Sequence, residues 1–527
     1  MTRSSLLTAF AAAALMLFAV PAGAVSRAAC SDSWKAASSG VWGLAANWTN
    51  GIPTNNDSVC ITLPGSYTVT LAPWSFGTAD PNNNGSNIVS LTLGASVGTG
   101  TQTLDIAGRG STSNSNEQVS TTFLSITGPS TIATHGALIL DSTDGGSTLP
   151  GNPQGGYAAL TGGGALTSYG QIETEVQSTA NKTANFTQIA PTLTIEASGS
   201  LHDVSGALDA DGITNDGSVI LGSKASLILT GLQGFGSGAS FSNAGKLVNG
   251  GSITADQNGG GVTWSQLSGS ISGNPVKLEG NAKLVDKAGP AKFLVDLIGA
   301  TLTGTVPRGQ TITVVGAAYN SSGNEYYGTA LGLGGGTVTN NGTIVLDAVG
   351  NKNASGGPAT INDGTLRNNG TITTKVTDPS WSAQLQAPLT NGHAGTVSVL
   401  EGSLVDTAGG TATNDGTVRI APGSLFVLNN GTNFTSKHDG TVAIEIRNTK
   451  SLGQFQLDSG TFTAGGTLAP MLAGHAAANT DFHLFQISGG SFKGVFSRLS
   501  GSFAGDYKHE TASPAYVGAV YKATGNK

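Results

Sequence analysis

The chain is poor in charge. Only 10% of its 527 residues are Asp, Glu, Lys or Arg, and 24 basic residues are outnumbered by 31 acidic ones. So little Lys and Arg cannot build the basic face that a phosphate backbone demands, which excludes nucleic acid as a partner class. Nor is there a basic cluster to dock on anionic lipid. Leu-rich runs at helical spacing are absent after residue 20, so a helical bundle is excluded too. Cysteine occurs twice and methionine three times. No P-loop and no G-x-G-x-x-G phosphate cradle occurs.

What the chain has instead is glycine, 79 residues of it, with Ser, Thr and Asn between short apolar runs. That composition points to many turns and short strands. The 38% of hydrophobic residues is enough to argue against disorder. Between Val338 and Ile446 one short phrase returns: Asn340-Asn341-Gly342-Thr343-Ile344, Asn362-Asp363-Gly364-Thr365-Leu366, Asn368-Asn369-Gly370-Thr371-Ile372, His393-Ala394-Gly395-Thr396-Val397, Asn414-Asp415-Gly416-Thr417-Val418 and His438-Asp439-Gly440-Thr441-Val442. Each is a turn signal followed by a strand. The glycines are expected to supply φ > 0, and the β-branched residues after them favour a pleated, half-buried surface. Earlier copies stand at Asn215-Asp216-Gly217 and Asn243-Ala244-Gly245. From Gly342 through Gly370, Gly395 and Gly416 to Gly440, and from Gly217 to Gly245, the glycines lie roughly 21–28 residues apart, the period of a solenoid whose units stack on one another. One unit cannot bury enough apolar surface to offset the entropy of ordering it, so neighbours must stack and both ends must be capped. Like residues in successive turns allow Asn side-chain ladders. The expected fold is all-β: a single-stranded parallel β-helix, right-handed, with an N-terminal and a C-terminal cap.

Residues 1–24 read as a secretory signal: Arg3, an apolar run from Leu6 to Val20, then Ala22-Gly23-Ala24 as cleavage site. No transmembrane span is expected after it. In an exported chain Cys30 and Cys60 read as a disulfide. Residues 25–80 form the expected N-terminal cap, with Trp34, Trp42 and Trp48 covering the open end of the first coil and Trp74 just beyond. Residues 81–470 are the expected β-helix. Polar segments such as Asp80 to Asn87 and Gly108 to Glu117 read as projecting loops. Residues 471–527, with Phe482, Phe485, Phe492, Phe496, Phe503, Tyr507, Tyr516 and Tyr521, read as an aromatic β cap.

The string Gly40-Val41-Trp42 … Asn47-Trp48 … Gly51-Ile52-Pro53 … Asp57-Ser58-Val59-Cys60-Ile61 resembles the opening of many bacterial secreted and cell-surface β-solenoids, adhesin-like and passenger-like proteins among them. In those families this element starts the helix and carries no catalysis. The run Phe482-His483-Leu484-Phe485, with Gly490-Ser491-Phe492-Lys493-Gly494-Val495-Phe496, resembles their terminal cap. The resemblance implies secretion and an extracellular or cell-surface location. A sortase signal and a string of barrel strands, which true adhesins and autotransporters of this kind carry, do not follow.

The Asp-Asp pair, Gly-His-Gly and Arg-Ile-Lys strings of polygalacturonase-type hydrolases are absent, and Asn479-Thr480-Asp481 alone does not make that site. A lyase needs clustered acidic calcium ligands and a base. Asp209 and Asp211, with Asp216 nearby, are the one acidic group that fits, as weak metal candidates. Gly94-Ala95-Ser96-Val97-Gly98 has the nucleophile-elbow pattern but no helix is expected to follow it. The histidines (His135, His202, His393, His438, His475, His483 and His509) are scattered, and two of them sit in turns. Lys277, Lys283, Lys287 and Lys292 read as a solvated face. Thr-x-Thr runs such as Thr192-Leu193-Thr194 and Thr371-Ile372-Thr373 are not expected to recur in register. No catalytic residue and no cofactor is therefore assigned. The expected function is a non-catalytic, exported solenoid with an adhesive, matrix or surface-structural role, its partner an extracellular glycan or cell-surface component. The alternatives are a polysaccharide lyase or hydrolase and a soluble glycan-binding module.

Overall fold

A computed structural model describes residues 29–72, 85–109, 121–143, 157–177, 186–230, 238–256, 261–280, 282–316, 328–348, 357–376, 380–474, 476–509 and 515–522. Residues 1–24, read above as a leader, Trp74, His475 and most of the two loop segments named above lie outside these residues.

The chain winds into a parallel β-solenoid. Along the coils a strand hydrogen-bonds in parallel to the strands one coil back and one coil on. Thr343–Ala348 pairs in parallel with Thr371–Val376, so that Ile344 lies beside Ile372, and the same column continues through Val397, Val418, Val442 and Leu468. In the C-terminal half three such walls close each coil. One runs through Thr337–Asn340, Thr365–Asn368, Leu389–Asn391, Thr411–Asn414, Asn433–Ser436 and Thr461–Thr463. A second contains Thr343–Ala348 and the strands stacked on it. The third runs through Ala359–Asn362, Ala383–Leu385, Ser403–Asp406, Leu425–Leu428 and Gln454–Leu457. Alternation decides the facing: Ile344, Leu346 and Ala348 are fully buried while Thr343, Val345 and Asp347 between them are half-buried.

Asparagine ladders run up the corners. Asn340, Asn368, Asn391 and Asn414 are buried, and each Nδ2 donates to the Oδ1 of the next at 2.7–2.8 Å. The same amides also donate to the carbonyls of Thr371, Thr396 and Thr417, so the donors of a buried polar column are satisfied between coils. A second ladder in the N-terminal half runs Asn215, Asn243, Gln266. Asp286 stands next in its register. There Gln310 Nε2 donates to the Asp286 carboxylate.

The corner glycines are needed for a different reason from the one their sequence suggests. Of the eight, only Gly364 has a positive φ, 146°, and in that corner Asp363 takes the left-handed conformation at 54°. For Gly217, Gly245, Gly342, Gly370, Gly395, Gly416 and Gly440 the constraint is close approach: a Cβ would stand 2.2–2.4 Å from a backbone oxygen of the preceding coil. Stacking coils roughly 4.8 Å apart leaves no room for a methyl where the corners nest. Gly370→Ala is expected to destabilise at or above the upper end of the roughly 1–3 kcal/mol range for overpacking. Gly163, which has open space around its Cβ position and no positive φ, is the control. Gly163→Ala should leave the denaturant midpoint unchanged or raise it slightly.

Candidate functional site

The first coil is closed by aromatic and covalent contacts. Trp34, Trp42 and Trp48 are 3%, 0% and 1% exposed. Trp48 meets both of the others edge-on, at 5.0 Å to Trp34 and 4.8 Å to Trp42. Trp48 Nε1 donates to the Trp42 carbonyl and Trp34 Nε1 to the Ser38 carbonyl. Rings buried this way present no face to a sugar. Cys30 and Cys60 form a disulfide with their Cα atoms 5.8 Å apart. Asp32 is the hub between them. Its Oδ1 accepts from the Ser33 and Asn50 amides and the Thr49 hydroxyl. Cutting the crosslink, by reduction or by Cys30→Ala with Cys60→Ala, is expected to cost roughly 3–4 kcal/mol for a loop of this length. The check is an earlier unfolding transition in tryptophan fluorescence.

The other sequence candidates sit as follows. Asp209 lies in Ser200–Ala210 beside Gln188 and Ile228 of the flanking coils, with Asp211 just past the strand end. Burial and the Asp209 charge push Asp211 up to about 6. Among the described residues no three His, Cys, Asp or Glu side chains come together as a metal site. The segment from Gly94 to Gly98 is a turn followed by the strand Gln102–Arg109, with Gln102 Oε1 accepting the Ala95 amide. Lys277 is not simply solvated: it bridges the carboxylates of Glu279 and Asp296 on adjacent coils. His393 and His438 occupy exposed turns.

Two groupings escape sequence reasoning. The first is in the C-terminal cap, where Ala515–Tyr521 runs antiparallel to Asp481–Ile487 and to Phe503–Asp506. This brings His483 to 3.6 Å and His509 to 4.6 Å from the Tyr516 ring, both nearly parallel to it. Two imidazoles that close cannot share one face, so they sandwich the phenol. Tyr516 donates to Asp481 at 3.0 Å, and His509 faces Asp506 at 3.6 Å. Burial and the Asp481 carboxylate push the Tyr516 phenol up to about 12, so it remains a donor at neutral pH. The stack locks the last strand onto the final coil.

The second grouping is a hydroxyl face. Thr311, Thr343, Thr371, Thr396, Thr417, Thr441 and Thr467 stand in one outward column over seven successive coils. On the adjoining wall Thr390, Thr413, Thr435 and Thr463 form another, with Arg367 and Thr339 before them. Single threonines thus recur in register, while the Thr-x-Thr runs do not, in line with the expectation. The column beside the first does break, through Thr313, Val345, Thr373, Ser398, Arg419 and Ala443.

No helix among the described residues is long and apolar enough to cross a membrane. No protein-family model and no curated protein matches this chain.

Proposed function

We propose that the chain is an exported, non-catalytic β-solenoid acting at the cell exterior in adhesion, matrix or surface structure, with a polyhydroxylated surface such as a glycan as partner. The observation that carries this reading is the hydroxyl face: threonines in register over seven coils on a rigid wall, with few charges among them. Repeated hydroxyls at a fixed spacing suit many weak hydrogen bonds to a repetitive ligand, and multivalency makes such bonds useful. The resemblance of Trp42 to Ile61 to the start of bacterial surface solenoids supports the same reading, and the disulfide fits an oxidising compartment.

The test mixes purified protein with a panel of insoluble acidic and neutral polysaccharides and follows both depletion from solution and soluble products. Saturable retention without products is the expected result. The triple variant Thr390→Val, Thr413→Val, Thr435→Val keeps the side-chain shape, removes three hydroxyls and should weaken retention with the melting temperature held. Release of cleavage products, abolished by Asp211→Asn, would replace this reading with a lyase or hydrolase.

A further inference from the structure

Six Asn-Gly pairs have both residues among those described, and five share a protective feature. Succinimide formation begins when the glycine amide nitrogen attacks the preceding Asn Cγ, so an amide engaged as a hydrogen-bond donor is a poor nucleophile. The amides of Gly250, Gly370 and Gly392 donate to carbonyls of Leu221, Asn340 and Asn368 on the coil below, at 2.8–2.9 Å. The Gly342 amide donates to Asn340 Oδ1 at 3.1 Å, and the Gly431 amide to Ser459 Oγ at 2.8 Å. The stacking that builds the solenoid thereby guards the very dipeptides that make its corners.

Asn50-Gly51 differs. Asn50 is exposed, Gly51 has φ 100°, and nothing lies within 4 Å of its Cβ position. Its amide has no acceptor among the described residues. We propose that Asn50-Gly51 is a modification site at which the folded protein converts asparagine to aspartate and isoaspartate. The Gly51 nitrogen bonds to Asn50 Cγ, the Cγ–Nδ2 bond breaks, and ammonia leaves with the amide proton. Water then opens the ring at either carbonyl.

The product matters for the cap. Asn50 Nδ2 donates to the Ser31 carbonyl at 2.6 Å, and the Asn50 amide donates to Asp32 Oδ1 at 3.0 Å. Deamidation replaces that donor with a carboxylate facing a carbonyl and a second carboxylate, next to the segment that carries Cys30. The modified cap therefore opens more readily, and its disulfide becomes easier to reduce.

The experiment ages the full-length secreted protein at mildly alkaline pH, folded and in urea, and maps the acid-for-amide mass shift by peptide. The urea arm gives each pair its intrinsic rate. Folded Asn50 should react at a rate close to its unfolded one, while Asn249, Asn341, Asn369, Asn391 and Asn430 slow by about tenfold or more because they react only from locally opened coils. Asn430 is the sharpest comparison, since it is also exposed and its glycine amide is held by Ser459. Asn50→Asp, assayed with a thiol reductant, should lose the Cys30–Cys60 bond faster than the parent. Protection of folded Asn50 equal to that of Asn369, or Asn430 reacting as fast as Asn50, would overturn the proposal. An unchanged reduction rate in Asn50→Asp would overturn its consequence for the cap.

Discussion

Phe455→Ala is expected to cost about 3–5 kcal/mol, the range for emptying a fully buried ring site. Phe455 is 0% exposed and stands in the middle of a phenyl stack. Phe426 lies 4.8 Å below it and Phe485 5.4 Å beyond it, both stacked, and Phe462 meets it edge-on at 5.1 Å. Phe434, Phe462 and Phe492 make a parallel stack on the neighbouring wall at 5.2 and 5.3 Å. Removing the ring opens a cavity in the interior and takes away four ring contacts at once, the fourth being Phe434 at 5.5 Å. Because each coil touches only its neighbours, the damage should stay local. Hydrogen exchange read by peptide should show protection lost from about Phe426 to Phe496 while coils before Val338 keep theirs. Phe455→Leu, which retains apolar volume and loses only the ring geometry, should cost under about 1.5 kcal/mol. Equal losses in the two variants would mean that volume in this stack counts for nothing.

The repeat phrase was legible because it states its geometry locally. An Asn-Asn-Gly-Thr-Ile string contains its corner and the strand that follows, so Gly342 and Gly370 mark corresponding corners without reference to anything distant. The reason for the glycine was not legible. Whether Gly370 is needed for φ or for clearance depends on the Gly342 carbonyl, which belongs to the coil below. The threonine column is written in the same phrase, since each of these corner glycines is followed directly by its threonine, as in Gly342-Thr343 and Gly370-Thr371. Sequence separations between corners vary, yet the inter-coil hydrogen bonds align Thr343, Thr371, Thr396 and Thr417 regardless of how much chain lies between strands. The histidine sandwich was invisible because His483, His509 and Tyr516 meet only through an antiparallel fold-back, and nothing in their own neighbourhoods announces it.

Acidification from pH 8 to pH 5 is expected to stabilise the solenoid, which is the reverse of ordinary acid denaturation. The cause is three aspartates inside the coils. Asp203, Asp286 and Asp406 are 1%, 1% and 0% exposed. Burial pushes Asp203 and Asp286 up to about 7 and Asp406 up to about 6, against hydrogen bonds from Thr174, from Gln310 and the Lys287 amide, and from the Ala408 amide. The ordinary value is 3.8. Since the folded pKa lies above the unfolded one, the folded state binds the extra proton between the two values. The stabilisation is complete below about pH 4 and is lost as pH rises through 6 to 7. At about 1.4 kcal/mol per pK unit, Asp203 and Asp286 are each worth on the order of 4 kcal/mol across that window. Asp57, held below its ordinary range chiefly by the Thr54 amide, works the other way only at more acid pH. Urea midpoints should therefore be higher at pH 5 than at pH 8. Asp203→Asn with Asp286→Asn should raise the midpoint at pH 8 and flatten most of the dependence, leaving the parts due to Asp406, Asp211 and Asp347, which are raised as well. A midpoint that is flat or rises between pH 5 and pH 8 in the parent would show that these carboxylates reach water, and that the coil interior is wetter than its packing indicates.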